Sequence, residues 1–223
     1  MRSFNRLAIG LVTTVIVVVV SLFVILSSNL SALIIEKVQT EGSRIVQVPV
    51  RLQQAEMAIS GEGQLKGLSV TNPEGYRNTL AIDLGTIELQ LDSDTLASPV
   101  IRIKALHIMG PIVNFEQHET ERSNLQQLVN NALASVEKIP TNQNGQPSAV
   151  LLIIEQLTLT DGVLNVYDQR AAAPIERPLP DLTMAAIGKE KGGSPTAEVI
   201  ALVMQQVVAR ATEEAELALE ALE

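Results

Sequence analysis

The stretch IRIKALHIMGPIVNFE, residues 101–116, has an echo in LIIEQLTLTDGVLNVY, residues 152–167. At a constant offset of 51 residues, apolar positions match apolar positions and one asparagine matches another. Both a true repeat and a chance similarity between short β segments fit this pattern. The matching pairs are Ile103 and Ile154, Leu106 and Leu157, Ile108 and Leu159, and Asn114 and Asn165.

Each of the two stretches contains turn-forming residues near its middle. The first has Gly110-Pro111 and the second has Asp161-Gly162. Asp-Gly between two apolar runs is a strong signal for a two-residue hairpin turn. We therefore predict a strand, a turn and a second strand in each stretch, with Asp161 and Gly162 as turn residues.

Further strands are predicted upstream. Residues 46–52 alternate apolar and polar side chains, and Pro49 on the polar side favours an edge strand. In IDLGTIELQLD, residues 82–92, the apolar phase switches at Gly85, which predicts a β-bulge. Between these runs, Asn72, Pro73 and Gly75 of NPEG predict a type I turn that serves as a structural corner.

Two helices are predicted after the strands. Ser123 with Gln126 three residues later forms a capping box, which predicts a helix over residues 123–138. The polar loop 140–149 follows. Ser194-Pro195 then predicts the start of a long helix with an acidic end. The helix either lies on the sheet and frays, or forms a coiled-coil or partner-binding arm.

The N-terminal residues 7–26 contain no charged side chain. A helix of this length spans about 30 Å of hydrocarbon, so the run predicts a transmembrane anchor. Arg2 and Arg6 precede it, and the positive-inside rule then places the N-terminus in the cytoplasm and the rest outside. A signal peptide cleaved near residues 27–32 is the alternative.

Composition limits the classes of function. The chain has 223 residues, a formal net charge of −9 and 2% aromatic residues, which argues against nucleic acid as a partner. Cysteine is absent, so disulfides and thiolate chemistry are excluded. The two histidines, His107 and His118, have no neighbours at the spacing of a catalytic or zinc motif. We predict no catalytic, cofactor-binding or metal-binding residues, and no cofactor.

These patterns together predict an α+β fold. It comprises a single N-terminal transmembrane helix followed by a mainly antiparallel, curved β-sheet with two flanking helices. The predicted domains are a cytoplasmic stub with anchor at 1–27, a β-rich domain at 28–193 and a C-terminal helix with an acidic end at 194–223.

The order of motifs resembles the AsmA-like proteins of Gram-negative envelopes. The motifs that carry the resemblance are GLSVTNPEGY at 67–76, AIDLGTIELQLD at 81–92, and the succession from GPIVNFE at 110–116 to SNLQQL at 123–128. The resemblance implies a β-rich domain, anchored in the inner membrane and facing the periplasm, with an apolar concave face. It also implies a role in envelope maintenance.

The expected function is therefore that of a non-enzymatic envelope protein. Its expected partners are the inner membrane, phospholipid bound in an apolar β-groove, and other envelope proteins. The alternative is a structural or adaptor module that binds other envelope proteins through its sheet edges or its C-terminal helix.

Overall fold

A computed structural model describes residues 30–96, 98–117, 123–139, 150–168, 171 and 173–221. Within these residues the fold is α+β, with three helices and thirteen strands. Helix α1 covers 30–46, α2 Asn124–Val136 and α3 Thr196–Glu220. The strands are β1 Val50–Arg51, β2 Gln54–Met57, β3 Glu62–Lys66, β4 Ser69–Thr71, β5 Leu80–Asp83, β6 Thr86–Leu91, β7 Val100–Met109, β8 Ile112–Glu116, β9 Leu151–Thr160, β10 Gly162–Tyr167, β11 Ile175–Leu179, β12 Leu182–Ile187 and β13 Ser194–Pro195.

The strands form two sheets with corresponding orders. Sheet A has the order β1-β4-β5-β8-β10-β11, and sheet B has the order β2-β3-β6-β7-β9-β12, with β13 also paired to β9. Each strand of sheet A is joined to its counterpart in sheet B by only one or two residues. The chain therefore makes six long extended segments, and each segment passes from one sheet into the other.

The junctions between the sheets need special backbone conformations. Gly67, Gly85, Gly110 and Asp161 all lie at junctions and have φ between 58° and 65°. At Gly85 a Cβ atom would lie 2.5 Å from the Met109 carbonyl oxygen. The β-bulge that was predicted to explain the change of apolar phase at Gly85 is therefore wrong. The apolar phase switches there because the chain leaves sheet A and enters sheet B.

The two stretches at the offset of 51 are neighbours in space. Strand β7 is parallel to β9, β8 is parallel to β10, and the four matched pairs are register partners, including Ile103 with Ile154 and Asn114 with Asn165. The predicted hairpins are wrong, because the strands on either side of Gly110-Pro111 and of Asp161 belong to different sheets. The similarity reflects two segments that occupy equivalent positions in adjacent parallel strands.

The predicted architecture is wrong, although the described residues are α+β as predicted. The prediction had one sheet and two flanking helices, whereas the described residues form two sheets and three α-helices. None of these three helices is long and apolar enough to cross a membrane. Helix α3 has 25 residues, but it carries Glu213, Glu214 and Glu216 among other charges. The predicted anchor at 7–26 and the domain at 1–27 that contains it lie outside the described residues.

The helices pack on the apolar face of the sheets. Helix α2 contacts β8 and α3, and α3 also contacts β10, β11 and β12. Leu125 and Leu128 of α2 and Leu164 of β10 are fully buried. The two helices thus cover strands from β8 onward, whereas a cavity of about 720 Å³ lies beside β2, β3, β6 and β7.

Helix α3 is integral to this core along its whole length. Its buried face is made of small residues that allow close approach to α2 and the strands, and it continues through Ala215 and Ala218 into the acidic end. The reading of this helix as a free arm is therefore wrong. Ser194-Pro195, which was predicted to begin this helix, forms β13, and α3 starts at the next residue with Pro195 as its N-cap residue.

The strand predicted at 46–52 is shorter than expected, but its remaining part, β1, lies at the edge of sheet A as predicted. Only Val50 and Arg51 are extended, since α1 continues to residue 46 and Gln47 has φ 57°. The Val50 N–H donates to the Ser43 hydroxyl at 2.8 Å, and the Leu52 N–H donates to the Gln39 side chain at 3.4 Å. Side chains of α1 thereby satisfy backbone groups at the edge of sheet A, which protects that edge from pairing with another chain.

Candidate functional site

The predicted corner at residues 72–75 lies beside the end of β8. The turn is centred on Glu74 and Gly75, and Gly75 has φ 95°, which is typical of the third position of a type II turn. The predicted type I turn is therefore wrong in its position, by one residue, and in its type. Asn72 and Pro73 are buried, whereas Glu74 is exposed.

A buried carboxylate ties this corner to the sheet. Glu116 is 4% exposed, and its oxygens accept from the side chains of Asn72 at 2.9 Å and Asn78 at 2.7 Å. They also accept from the backbone N–H groups of Arg77 at 2.7 Å and Asn78 at 2.9 Å. Four donors thus surround one carboxylate, which compensates for much of the free energy lost on removing the charge from water.

Asn124, the first residue of α2, completes the edge of β8. Strand β5 pairs with β8 only at Ile112 and Val113, so the later residues of β8 lack this neighbour. The Asn124 side chain accepts from the Glu116 N–H at 2.9 Å and donates to the Asn114 carbonyl at 2.7 Å. The N–H and C=O of one residue in an adjacent parallel strand would make the same two bonds.

The asparagine side chains join these groups into one network. Asn124 also donates to the Asn72 side-chain oxygen at 2.8 Å, and Asn165 donates to the Asn114 side-chain oxygen at 3.0 Å. Every polar group discussed has a partner within the protein. The corner therefore stabilises the fold, and its buried groups present no free donor or acceptor to a ligand.

Helix α2 begins as the sequence predicts. Ser123 is the N-cap residue, with φ −85° and ψ 156°, and its side chain accepts from the Gln126 N–H at 3.1 Å. This bond satisfies one of the donors left free at a helix N-terminus. The cap places Asn124 at the point where its side chain reaches β8.

Asp161 and Gly162 lie at the junction of β9 and β10, far in sequence from the corner. Asp161 has φ 58°, while Gly162 is the first residue of β10, where a Cβ atom would lie 2.9 Å from the Leu179 side chain. These residues shape the backbone, as predicted, but as a junction between sheets rather than a hairpin turn.

The histidines form no metal centre within the described part of the chain. The His107 ring nitrogen Nε2 is 3.0 Å from the Thr160 hydroxyl, whereas His118 lies outside the described residues. The described residues contain no group of three or more histidine, aspartate or glutamate side chains placed to hold a metal ion.

A cleft lies between α2, β12 and α3. Its volume is about 470 Å³, within the usual range for small-ligand sites. Most of its lining side chains are apolar, and Leu133 and Leu202 are each 39% exposed. The apolar lining side chains are Leu133, Val136, Met184, Ala185, Ala186, Ile187, Val199, Ala201 and Leu202.

Three charged side chains lie at the rim of the cleft. Lys191 forms an ion pair with Glu198, which lies in the first turn of α3. Glu190 is exposed and forms no ion pair with another described residue. The arrangement suits a ligand that has an apolar chain and a small polar head.

Sequence reasoning did not find this cleft. Its lining combines residues 133 and 136 of α2 with residues 184–205, which run from β12 into α3 and lie far from α2 in the chain. The only local signal was the paired Gly192-Gly193 beside charged residues.

No protein-family model, curated protein or solved structure matches this chain. The resemblance to AsmA-like proteins therefore stays a prediction based on the motifs.

Proposed function

We propose that the protein is a non-enzymatic component of the bacterial cell envelope that binds phospholipid through an acyl chain. The proposed binding site is the cleft between α2, β12 and α3, and the proposed location is the inner membrane, with the α+β domain in the periplasm. This differs from the expected groove in the sheet, because the cleft is bordered by two helices and an edge strand.

The exposed apolar lining of the cleft supports this proposal. Leu133 of α2 and Leu202 of α3 keep 39% of their surface exposed on the two helices that border the cleft. Removing apolar surface from water contributes about 25 cal/mol per Å². An acyl chain that covers these side chains would gain this free energy, whereas the saturated polar network around Glu116 offers no comparable gain.

Native mass spectrometry of the full-length protein tests the proposal. The protein is purified from membranes and then incubated with a fluorescent acyl-chain phospholipid. We expect a bound lipid of defined mass, displaced by the added probe at one site per protein. Absence of both co-purified lipid and probe uptake would rule out the lipid-binding proposal.

A second function is supported by the uncharged edge strand of sheet B. In this alternative the protein is an adaptor that pairs with another envelope protein through the edge of sheet B. Strand β12 lies at that edge, and its sequence LTMAAI contains no charge to discourage pairing. Crosslinking in native membranes from Thr183, which is exposed on β12, would trap a protein partner if this alternative holds.

A further inference from the structure

We propose that one end of sheet B contacts the membrane and inserts the apolar side chains of its connections into the lipid surface. This inference rests on the membrane location in the proposed function and adds the orientation of the domain on the bilayer. It follows from the places that exposed apolar side chains take in the fold, not from the lining of the cleft.

The apolar end of sheet B, defined by Ile59, Leu96 and Val150, is built from three separate parts of the chain. Ile59 lies between β2 and β3, Leu96 between β6 and β7, and Val150 immediately before β9. These parts meet at one end of the sheet, because β3 and β7 are antiparallel to β6 and β9 is parallel to β7. The three side chains are 77%, 51% and 51% exposed. Single exposed apolar side chains are normal, but a row of them at one end indicates an interaction surface.

Helix α1 has its N-terminal end on the same side of the fold. Its Ser43 is hydrogen-bonded to β1, whereas its Gln39 is hydrogen-bonded to Leu52, which is nearer to sheet B. The helix therefore runs toward sheet B in the direction of its N-terminus, and Leu30 lies about 14 Å beyond Gln39 along the axis. Leu30 and Leu33 are 43% and 56% exposed. The exposed leucines of α1 thus lie on the side of the domain that carries the apolar end of sheet B.

The chain before α1 supports a lipid surface as the partner. The charge-free run at 7–26, which predicts a membrane anchor, ends four positions before Leu30. Four residues span at most about 14 Å, even when fully extended. A membrane reached by that run therefore lies close to the N-terminal end of α1. Contact with its lipids would remove the apolar end of sheet B from water.

Charges at this end are nearly balanced. The connection between β6 and β7 and the turn after β12 carry three acidic and two basic side chains, and the turn between β2 and β3 carries none. Such a mixture gives little net attraction to anionic lipid. We therefore expect insertion to depend on apolar side chains and to persist as salt is added. The charged residues are Asp92, Asp94, Lys189, Glu190 and Lys191.

The proposed lipid cleft lies at the same end of the sheet. Strand β12 is antiparallel to β9, so its last residue lies at the end where β9 begins. The cleft lining includes Gly188, Glu190, Lys191 and Ser194, which follow β12. The proposed orientation therefore places the cleft beside the lipid surface, where a phospholipid would enter it directly from the bilayer.

Fluorescent labels on single cysteines test this orientation, because the chain itself contains no cysteine. Leu96→Cys carries the label at the apolar end. Leu217→Cys is the matched control, since the two leucines are 51% and 50% exposed and Leu217 lies three residues after Glu214, which pairs with Arg177 of sheet A. Each labelled full-length protein is reconstituted into phosphatidylcholine vesicles that contain lipids with a spin label on the acyl chain.

We expect the label at residue 96 to emit at shorter wavelength and to be quenched by a spin label about 5–10 Å below the headgroups, at low and at high salt. The label at residue 217 should show neither change. Ile59→Cys repeats the measurement in a second connection and should behave as Leu96→Cys does.

Three results would overturn the orientation alone. They are equal quenching at residues 96 and 217, no quenching at residues 59 and 96, and a shorter emission wavelength without quenching, which would show that a second copy of the chain covers the label. Binding of a fluorescent acyl-chain phospholipid in the cleft is measured separately on the same proteins. Its failure in the unlabelled full-length protein would overturn the proposed function instead.

Discussion

The corner around Glu116 buries a charged side chain, whereas the cleft around Leu202 leaves apolar side chains exposed. At the corner, a charged side chain is 4% exposed and accepts four hydrogen bonds. At the cleft, two leucines remain 39% exposed beside a volume of about 470 Å³. The corner shows how a buried charge is accommodated by hydrogen bonds, and the cleft leaves exposed the apolar surface that the proposed lipid would cover.

The largest effect on stability is expected at the centre of the corner. Glu116→Ala leaves four donors without their acceptor, so we expect the free energy of unfolding to fall by about 3–5 kcal/mol. Urea denaturation of the full-length protein measures this change. Glu176→Ala, at an exposed site on β11, should change stability by less than about 0.5 kcal/mol. Equal effects of the two substitutions would contradict the account of the corner.

A smaller loss is expected for Asn124→Ala. The substitution removes the partner of the Glu116 N–H and of the Asn114 carbonyl, so we expect a loss of about 2–3 kcal/mol. Asn130→Ala changes the same residue type at an exposed position of the same helix and is the matched control. If both variants unfold at the same urea concentration, Asn124 does not act as a substitute for a strand.

A substitution in the turn should lower the free energy of unfolding less than a substitution in the hydrogen-bond network around Glu116. Gly75 has φ 95°, and a Cβ atom there would meet nothing within 4 Å, so Gly75→Ala tests backbone strain without a steric clash. We expect a loss of about 1–2 kcal/mol, with lipid binding unchanged, by denaturation and by probe titration. Normal stability combined with lost lipid binding would show that the corner takes part in binding.

Much of the local structure could be predicted from the sequence, while the pairing of its segments could not. Ser123 and Gln126 predict the start of α2 because a capping box uses neighbouring residues. Asp161-Gly162 was misread as a hairpin turn because the same positive φ also serves a junction between two sheets. The alternation in 46–52 correctly predicts an edge strand, but only Val50 and Arg51 form it, because α1 ends at the buried Val46 and Gln47 has φ 57°.

The same distinction applies to the functional sites. The hydrogen bond between Asn72 and Glu116 joins residues 44 positions apart, and that between Asn72 and Asn124 joins residues 52 positions apart. The two partners of each bond are too far apart in the sequence for a local motif to contain both. NPEG could be recognised as a corner from its turn chemistry, but the carboxylate that holds it could only be seen in the folded chain.

The smallest effect on stability and the largest on binding are expected at the cleft. Leu202 and Leu217 both lie on α3 and are 39% and 50% exposed, but only Leu202 lines the cleft. Replacing either leucine with glutamine should change the free energy of unfolding by less than about 1 kcal/mol. The two variants therefore separate ligand binding from stability.

The most direct test of the central claim is titration of a fluorescent acyl-chain phospholipid into the full-length protein and these two variants. We expect Leu202→Gln to weaken binding about tenfold, because the acyl chain loses an apolar contact, and Leu217→Gln to bind as the unchanged protein does. Equal binding by both variants, or no binding by the unchanged protein, would contradict the assignment of the cleft as a lipid site.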